Sequence, residues 1–286
     1  MISRNGFYKN YNIILEIVKQ QQKRESCFIP YFYDNGKQKW KALSPVRWLN
    51  IQYSGMLNKQ FEEFKFLEKP MNIYFSLATY QNFPMFSWNR LIKQQEQGIW
   101  EKEFHKYIVG YDLLIETDST DIKLSQADTI KIKEFLDSYK IKYCIKASGS
   151  KGFHIIVPDE EFSHIKLSIY DHKGVYYDRV KLFKDIITRL KFVLNCLTID
   201  LTIVDIKRIA KTGYSIDVKS GLVAYPLDDN WLINFENKLI TPENVLRQNN
   251  YKRGLLWRND DVPLDERRRN TDRLIADLDI PLEKYI

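Results

Sequence analysis

The amino-acid sequence predicts an α/β fold, of the α+β kind, with a mixed and partly antiparallel sheet. Segments with helical spacing of apolar residues alternate with short apolar segments typical of strands along most of the 286-residue chain. Two predicted strands, 141–147 and 152–157, are separated only by a short glycine-containing turn, so we expect them to lie side by side. Hydrophobic residues make up 44% of the chain, which suits a sizeable core and argues against a mainly disordered protein.

The elements follow from local patterns. Apolar residues recur at helical spacing within 11–22, which predicts a helix there. Asp34-Asn35-Gly36 is a strong turn signal that predicts a β-hairpin between 27–33 and 39–43. Further along, helices are predicted over 61–67, 125–139 and 180–197, and strands over 72–78, 107–115, 141–147, 152–157 and 201–206. Residues 251–273 are rich in charge, which predicts an exposed arm or helix.

Composition narrows the class of protein. Lys and Arg number 44 against 37 Asp and Glu, a formal charge of +7 that favours polyanionic partners, and 18 Tyr and 16 Phe supply faces on which bases can stack. Cys27, Cys144 and Cys196 lie far apart, so we expect neither structural zinc nor a disulfide framework. No segment reaches about 18 consecutive apolar residues. We therefore expect no membrane contact and a cytoplasmic protein.

The first candidate functional segment is acidic. A hydrophobic strand ends in Glu116-Thr-Asp118, and residues two apart on a strand share a face, so the two carboxylates would project together. Neighbouring carboxylates repel each other and are normally stabilised by a cation. An isolated Glu-x-Asp is also common where a polar strand end enters a loop.

The second segment, Ser148-Gly-Ser-Lys151-Gly-Phe-His154, lies between two predicted strands. Small residues around a lysine favour a tight turn whose backbone amides can face an anion. Ser148, Lys151 and His154 add a hydroxyl, a positive charge and a further donor, which together suit a triphosphate. An ordinary glycine-containing hairpin is the alternative.

The third segment is a predicted strand, 201–206, that brings Asp205 to its end and is followed by Lys207, Arg208 and Lys211. Alone it is a common arrangement. Together the three segments are more specific, because acids at strand ends suit a two-metal site and a cationic turn can neutralise a triphosphate. Phosphoryl transfer requires mainly such positioning and charge stabilisation.

These segments resemble, in the same order, the three motifs of the archaeo-eukaryotic primase superfamily. Leu113 to Asp118 is similar to a hydrophobic strand ending in Asp-x-Asp, and Ser148 to His154 fits Ser-Gly-x-x-Gly-x-His without a gap. Asp205, Arg208, Ser215 and Lys219-Ser-Gly-Leu222 are similar to the third motif. Fainter likeness extends the resemblance over roughly residues 20–240.

The resemblance implies an RRM-like palm at 101–235, an N-terminal α/β module at 1–100 and a charged helical extension at 236–286, all within one compact catalytic unit. It implies that Glu116, Asp118 and Asp205 are catalytic and bind two Mg²⁺ or Mn²⁺ ions. The residues that would contact the incoming nucleotide are Ser148, Lys151, His154, Arg208, Ser215 and Lys219. The basic residues predicted to contact nucleic acid are Lys207, Lys211, Arg267, Arg268 and Arg269.

The function implied is template-directed joining of NTPs or dNTPs on a DNA template or primer, with release of pyrophosphate. Three departures from the family pattern are Glu116 in place of Asp, Asp217 where replicative primases usually show His, and Gly213-Tyr214 where they show Pro-Gly. The short spacing between Asp118 and Ser148 leaves no room for the cysteine-rich insertion of replicative subunits, which favours a stand-alone monomeric enzyme.

Three alternatives stay open: the catalytic subunit of a two-subunit primase, a non-catalytic RRM-like nucleic-acid-binding module, and a metal-dependent nuclease. The sequence does not select a pathway among replication, repair, a mobile element and a CRISPR-linked system. Other replication or mobile-element proteins are accordingly candidate partners. We expect an archaeal or bacterial protein associated with the nucleoid.

Overall fold

The computed structural model describes residues 3–43, 46–49, 70–81, 107–167, 178–203, 208–248 and 251–285. Its helices are α1 (Arg4–Tyr8), α2 (Tyr11–Gln20), α3 (Ile122–Ser138), α4 (Asp178–Val193), α5 (Asp229–Ile233), α6 (Pro242–Arg247) and α7 (Leu264–Asp277). Its strands are β1 (Arg24–Asp34), β2 (Lys39–Ala42), β3 (Val46–Leu49), β4 (Met71–Tyr80), β5 (Ile108–Tyr111), β6 (Leu113–Asp118), β7 (Cys144–Ala147), β8 (Gly152–Val157), β9 (Ile209–Lys211) and β10 (Tyr225–Pro226). Short 3₁₀ turns cover Asp159–Phe162, Leu201–Ile203, Asn237–Ile240 and Leu282–Lys284.

The first sheet is antiparallel and is built around β1 and β4. Its order is β2-β1-β4-β5, with β3 also paired to β1 and β9 paired to β4. The predicted hairpin is confirmed: Tyr33 lies opposite Trp40, and the Asp34 side chain accepts a hydrogen bond from the Lys37 amide within the turn. Buried Phe28 and Phe75 place the core against this sheet.

The second sheet is also antiparallel and has the order β10-β7-β8-β6. As the glycine-containing turn predicted, β7 and β8 are neighbours, and Ile145 lies opposite Ile155 in the core. Helix α3 packs against β6 and β8, and α4 buries Phe183 and Leu190 in the same core. This sheet carries the first two predicted motifs, on β6 and across the β7–β8 turn.

The strand predicted over 107–115 is divided by Asp112, which is a correction to that prediction. Strand β5 pairs with β4 in the first sheet, whereas β6 pairs with β8 in the second. The Asp112 carboxylate is buried and accepts a hydrogen bond from the Arg24 guanidinium at 2.6 Å and another from the Asp159 amide at 3.0 Å. These two long-range bonds fix the point where the chain passes from one sheet to the other.

The strand predicted over 201–206 is also corrected. Leu201–Ile203 form a 3₁₀ turn, because the Asp200 carboxylate accepts hydrogen bonds from both the amide and the hydroxyl of Thr202. Asp205 and Lys207 lie outside the described residues, as does the helix predicted over 61–67. The chain is described again from Arg208 and enters β9 at Ile209.

Strands β5 and β9 both come from the segment predicted as the palm, yet they join the first sheet. The predicted division into an N-terminal module (1–100), a palm (101–235) and a C-terminal extension (236–286) remains a prediction. The charged C-terminal segment forms helix α7 as expected, but only one face of this helix is exposed, because Leu274 and Ile275 are buried. No helix within the described ranges has the length and apolar character needed to cross a membrane.

Candidate active site

A cleft of about 370 Å³ lies where the two sheets meet, and it collects half of the predicted site residues. Strand β6, the β7–β8 turn and β9 form its walls, while β1 and β4 contribute Ile29 and Tyr74. The predicted residues that line the cleft are Glu116, Asp118, Ser148, Lys151, His154, Arg208 and Lys211. Segments more than 90 positions apart along the sequence thus meet at one surface.

Glu116 lies at the centre of this surface. One of its carboxylate oxygens is 2.8 Å from Nη2 of Arg208, and the other is 3.4 Å from Nε2 of His154, the residue opposite it on β8. Burial raises the pKa of Glu116, and the Arg208 guanidinium opposes that rise. The carboxylate therefore occupies a poorly solvated position that a nearby positive charge stabilises.

His154 is buried between Glu116 and a lysine that the sequence analysis did not select. In the register of the sheet, His154 lies opposite both Glu116 on β6 and Lys146 on β7. Burial lowers the pKa of His154 well below its usual value, and the positive charges of Lys146, Lys211 and Arg208 lower it further. The imidazole is therefore neutral at physiological pH and presents one N–H donor.

Lys146 connects the two sheets behind the cleft. Its Nζ donates a hydrogen bond to the Lys211 carbonyl of β9 and lies 4.7 Å from the centre of the Phe75 ring on β4. Burial lowers the pKa of Lys146 to about 7. The sequence carried a weak signal for this residue, because Lys146 lies two positions before Ser148 and residues two apart on a strand share a face.

The Ser148–Gly152 turn is held tightly by its own backbone. The Ser148 hydroxyl accepts hydrogen bonds from the amides of Ser150 and Gly152, so these amides are bonded within the turn. Gly149 has a φ of +72°, and a Cβ at Gly152 would lie 1.7 Å from the Thr117 carbonyl oxygen of β6. Both glycines are required by this geometry. Lys151 is exposed at the rim of the cleft.

Asp118 is exposed at the end of β6, and its amide donates to the Thr198 carbonyl at 2.9 Å. A further acid, Asp200, was not selected from the sequence. Its amide donates to the Glu116 carbonyl at 3.0 Å, and its negative charge adds to the rise of the Glu116 pKa. Within the described ranges no group of three or more His, Cys, Asp or Glu side chains is arranged to hold a metal ion. Because Asp205 falls outside those ranges, the predicted three-acid set stays a prediction.

Ser215 and Lys219 are not among the residues that line the cleft. Ser215 is buried and its hydroxyl accepts a hydrogen bond from the Ile73 amide at 2.8 Å, whereas Lys219 is exposed on the following turn. Asp217 pairs with Lys211 at 2.6 Å and also accepts from the Lys219 amide. Burial would raise the pKa of Asp217, but the Lys211 ammonium and the turn amides outweigh burial and lower it. Asp217 thus holds Lys211 beside the cleft.

The run Arg267-Arg268-Arg269 of α7 does not line the cleft either. Arg267 is buried, with Nη1 at 3.1 Å from the Glu160 carboxylate and Nη2 donating to the Asp260 carbonyl at 2.7 Å. Arg268 is half-buried and Arg269 is exposed. Arg267 therefore interacts with protein acids, and Arg269 is the member of this run that is open to solvent.

Comparison with solved structures places this architecture in a known fold. The polymerase domain of Mycobacterium tuberculosis ligase D, solved in complex with DNA, aligns with a TM-score of 0.56 at 11% identity, over 86% of this chain and 88% of that domain. This chain has an archaeo-eukaryotic primase fold. The fold predicted from the sequence motifs is confirmed.

The primase-polymerase AEP domain of cyanophage S-2L aligns with a TM-score of 0.40 at 11% identity, over 83% of this chain and 97% of that one, a score too low to add support. No protein-family model matches the sequence. No curated protein matches it either.

Proposed function

We propose that this chain is a template-directed nucleotidyltransferase of the primase-polymerase kind, joining nucleoside triphosphates on DNA. The observation that carries the proposal is the meeting of two independently predicted segments. The acidic end of β6 and the Ser148–His154 turn line one cleft of about 370 Å³, together with Arg208 and Lys211. A polymerase fold at 11% identity adds support for the architecture and none for the individual residues.

Glu116 and Asp118, with Asp205, are the residues that would hold two divalent metal ions. Both described carboxylates belong to one face of β6 and line the cleft, and hard oxygen ligands of this kind suit Mg²⁺ and Mn²⁺. The poorly solvated Glu116 carboxylate already requires positive charge beside it, which fits a cation site. When bound, such ions lower the pKa of an attacking hydroxyl and neutralise phosphate oxygens.

The remaining cleft residues suit the other demands of phosphoryl transfer. Lys151 at the rim, with Arg208 and Lys211, would neutralise the triphosphate, and neutral His154 would donate a hydrogen bond to a phosphate oxygen. The 3′-hydroxyl of a primer, or of an initiating nucleotide, attacks the α-phosphorus. The bond between the α-phosphorus and the oxygen that bridges it to the β-phosphate breaks. Pyrophosphate leaves, and the proton of the attacking hydroxyl passes to water.

The test is primer extension by the purified chain with Mg²⁺ or Mn²⁺, beside a thermal melting curve for each variant. Asp118→Asn and Asp205→Asn should each lose about 100-fold or more of the activity without a large change in melting temperature. Asp261→Asn removes an exposed acid that does not line the cleft, and it should extend like the wild type.

The same assay separates the alternatives. A nucleic-acid-binding module would bind the primer–template and extend nothing, while a metal-dependent nuclease would shorten the primer. Extension that appears only after a second polypeptide is added would indicate a two-subunit primase. Full activity in Asp118→Asn or Asp205→Asn would remove that acid from the proposed metal site.

A further inference from the structure

A band of exposed apolar side chains lies beside the acidic end of β6. Phe192 is 81% exposed, Leu197 68% and Val193 53%, and Leu124 and Leu201 are exposed at 40% and 37%. We call these five residues the apolar band. Single exposed apolar residues are common on soluble proteins, but three within the short segment 192–197, with two more near Thr198, indicate an interaction surface.

Backbone hydrogen bonds place the band next to the cleft. The Asp118 amide donates to the Thr198 carbonyl at 2.9 Å, and Thr117 forms a β-bridge with Ile199. Leu197 precedes Thr198 directly, so it flanks the strand end that carries Asp118. Leu197 therefore brings one end of the band beside the strand end that carries Asp118.

The band is anchored from both sides, so its exposed side chains project from a fixed segment. The amide and hydroxyl of Thr198 donate to the buried Asp128 carboxylate of α3 at 2.9 and 2.8 Å, and Leu124 lies one helical turn before Asp128. On the other side, Nζ of Lys191 donates to the Ile199 carbonyl at 2.6 Å. These bonds fix the segment 191–199, which carries Phe192, Val193 and Leu197.

Exposed lysines share the face of α4 that carries Phe192. Lys184, Thr188 and Phe192 follow each other at four-residue spacing on the exposed face of α4, and Lys181 precedes them by three. Lys131 of α3 is also largely exposed, and its Nζ lies 3.4 Å from the Asn195 carbonyl.

Three of the acids near the band are engaged in hydrogen bonds. Asp185 accepts a hydrogen bond from the Tyr285 hydroxyl, and Asp128 and Asp200 bond to Thr198 and Thr202. Two exposed lysines and an exposed aromatic ring thus share one face of α4, whose C-terminal end leads to Leu197 beside Asp118.

We propose that the apolar band, with Lys181 and Lys184, binds single-stranded nucleic acid as it passes the cleft. Bases would stack on Phe192 and contact Leu197, and the α4 lysines would contact phosphates. Proteins that bind single strands without sequence preference combine the same two features, stacking faces and a cationic path. The inference rests on the proposed function where it says that the bound nucleic acid leads into the cleft, but binding itself requires no catalysis.

The experiment measures the affinity of the full chain for a fluorescent single-stranded oligonucleotide by anisotropy, without nucleoside triphosphates, at several salt concentrations. Phe192→Ala should weaken binding by about tenfold and leave the salt dependence unchanged, because it removes stacking and no charge. Phe192→Trp should restore the affinity. Lys184→Ala should reduce the slope of log affinity against log salt by about 0.7.

Ile233→Ala is the matched control, since Ile233 of α5 is 62% exposed and does not belong to the band. It should bind like the wild type. A second measurement uses the wild-type chain, photocrosslinked to an oligonucleotide that carries 4-thiothymidine. Adducts are expected at Phe192 or Leu197, and adducts found only elsewhere would overturn the proposal.

Other results separate this inference from the proposed function. Wild-type affinity in Phe192→Ala would overturn the inference. So would light scattering that shows a wild-type dimer and a monomeric Phe192→Ala variant, if both bind the oligonucleotide equally well. Phe192-dependent binding by a chain that extends no primer would contradict the proposed function and leave the inference standing. Asp118→Asn should bind the oligonucleotide normally while losing extension.

Discussion

The buried Glu161 carboxyl makes the stability of this protein depend on pH. Glu161 belongs to the 3₁₀ turn after β8 and is fully buried beneath α7, where Nε of Arg267 lies 3.6 Å from its Oε1. Burial raises the pKa of Glu161 from 4.5 to about 7, although the Arg267 guanidinium and the Lys142 amide oppose the rise. The charged form is therefore less favourable in the folded protein than in the unfolded chain.

The sign and size of the effect follow from proton linkage. Between pH 4.5 and about 7 the folded protein keeps a proton on Glu161 that the unfolded chain has already lost. The contribution of Glu161 to the free energy of unfolding is thus fully present below pH 4.5 and is lost as the pH rises through about 7. At about 1.4 kcal/mol per pH unit, the loss in the free energy of unfolding amounts to about 3 kcal/mol.

The assay is urea unfolding at pH values from 5 to 8, and the perturbation is Glu161→Gln, which keeps the shape and removes the titration. The glutamine variant should lack the Glu161 contribution to the pH slope and should exceed the wild type by up to about 3 kcal/mol at pH 8. Glu134→Gln, at an exposed position on α3, is the control and should follow the wild type. Parallel curves for wild type and Glu161→Gln would refute the reasoning.

Three further predictions test separate parts of the structure. Arg24→Met leaves the buried Asp112 carboxylate without its partner, so urea unfolding should show a loss of about 3–5 kcal/mol. Gly152→Ala places a methyl group 1.7 Å from a β6 carbonyl oxygen and should prevent stable β6–β8 pairing. Gly221→Ala has open space around the new methyl group but a φ of +74°, so it should lower the free energy of unfolding by only about 1 kcal/mol. Melting curves of the two variants test this difference. Lys151→Ala should weaken nucleotide affinity more than DNA affinity, with the two titrated separately, and an equal loss of both would assign the turn to the nucleic acid.

Much of the second sheet could be predicted from the sequence because its signals are local. The glycine-containing turn between two apolar segments identified β7 and β8, and helical periodicity located α3 and α4 to within a few residues. The two-residue spacing of Glu116 and Asp118 placed both side chains at the cleft. Each of these predictions depends on residues that are close in sequence.

The features that sequence reasoning missed depend on distant partners. The strand break at Asp112 is set by Arg24, which lies 88 positions away. Lys146 gains its role from the Lys211 carbonyl, 65 positions away, and Asp200 reaches Glu116 through backbone pairing. The run Arg267-Arg268-Arg269 predicts a solvated basic patch, but Arg267 contacts Glu160 and Glu161 from another part of the chain. Such contacts leave no periodic pattern in the sequence.

The central claim is that the cleft joins nucleotides under the direction of a template. The most direct measurement offers the purified chain one primer on four templates that differ only in the first unpaired base, with all four nucleotides present, and records both the base added and the pyrophosphate released. The account predicts addition of the complementary nucleotide in each case, one pyrophosphate for each nucleotide added, and loss of both products in Asp118→Asn. Addition that ignores the template base, or product formation that persists in a folded Asp118→Asn variant, would contradict it.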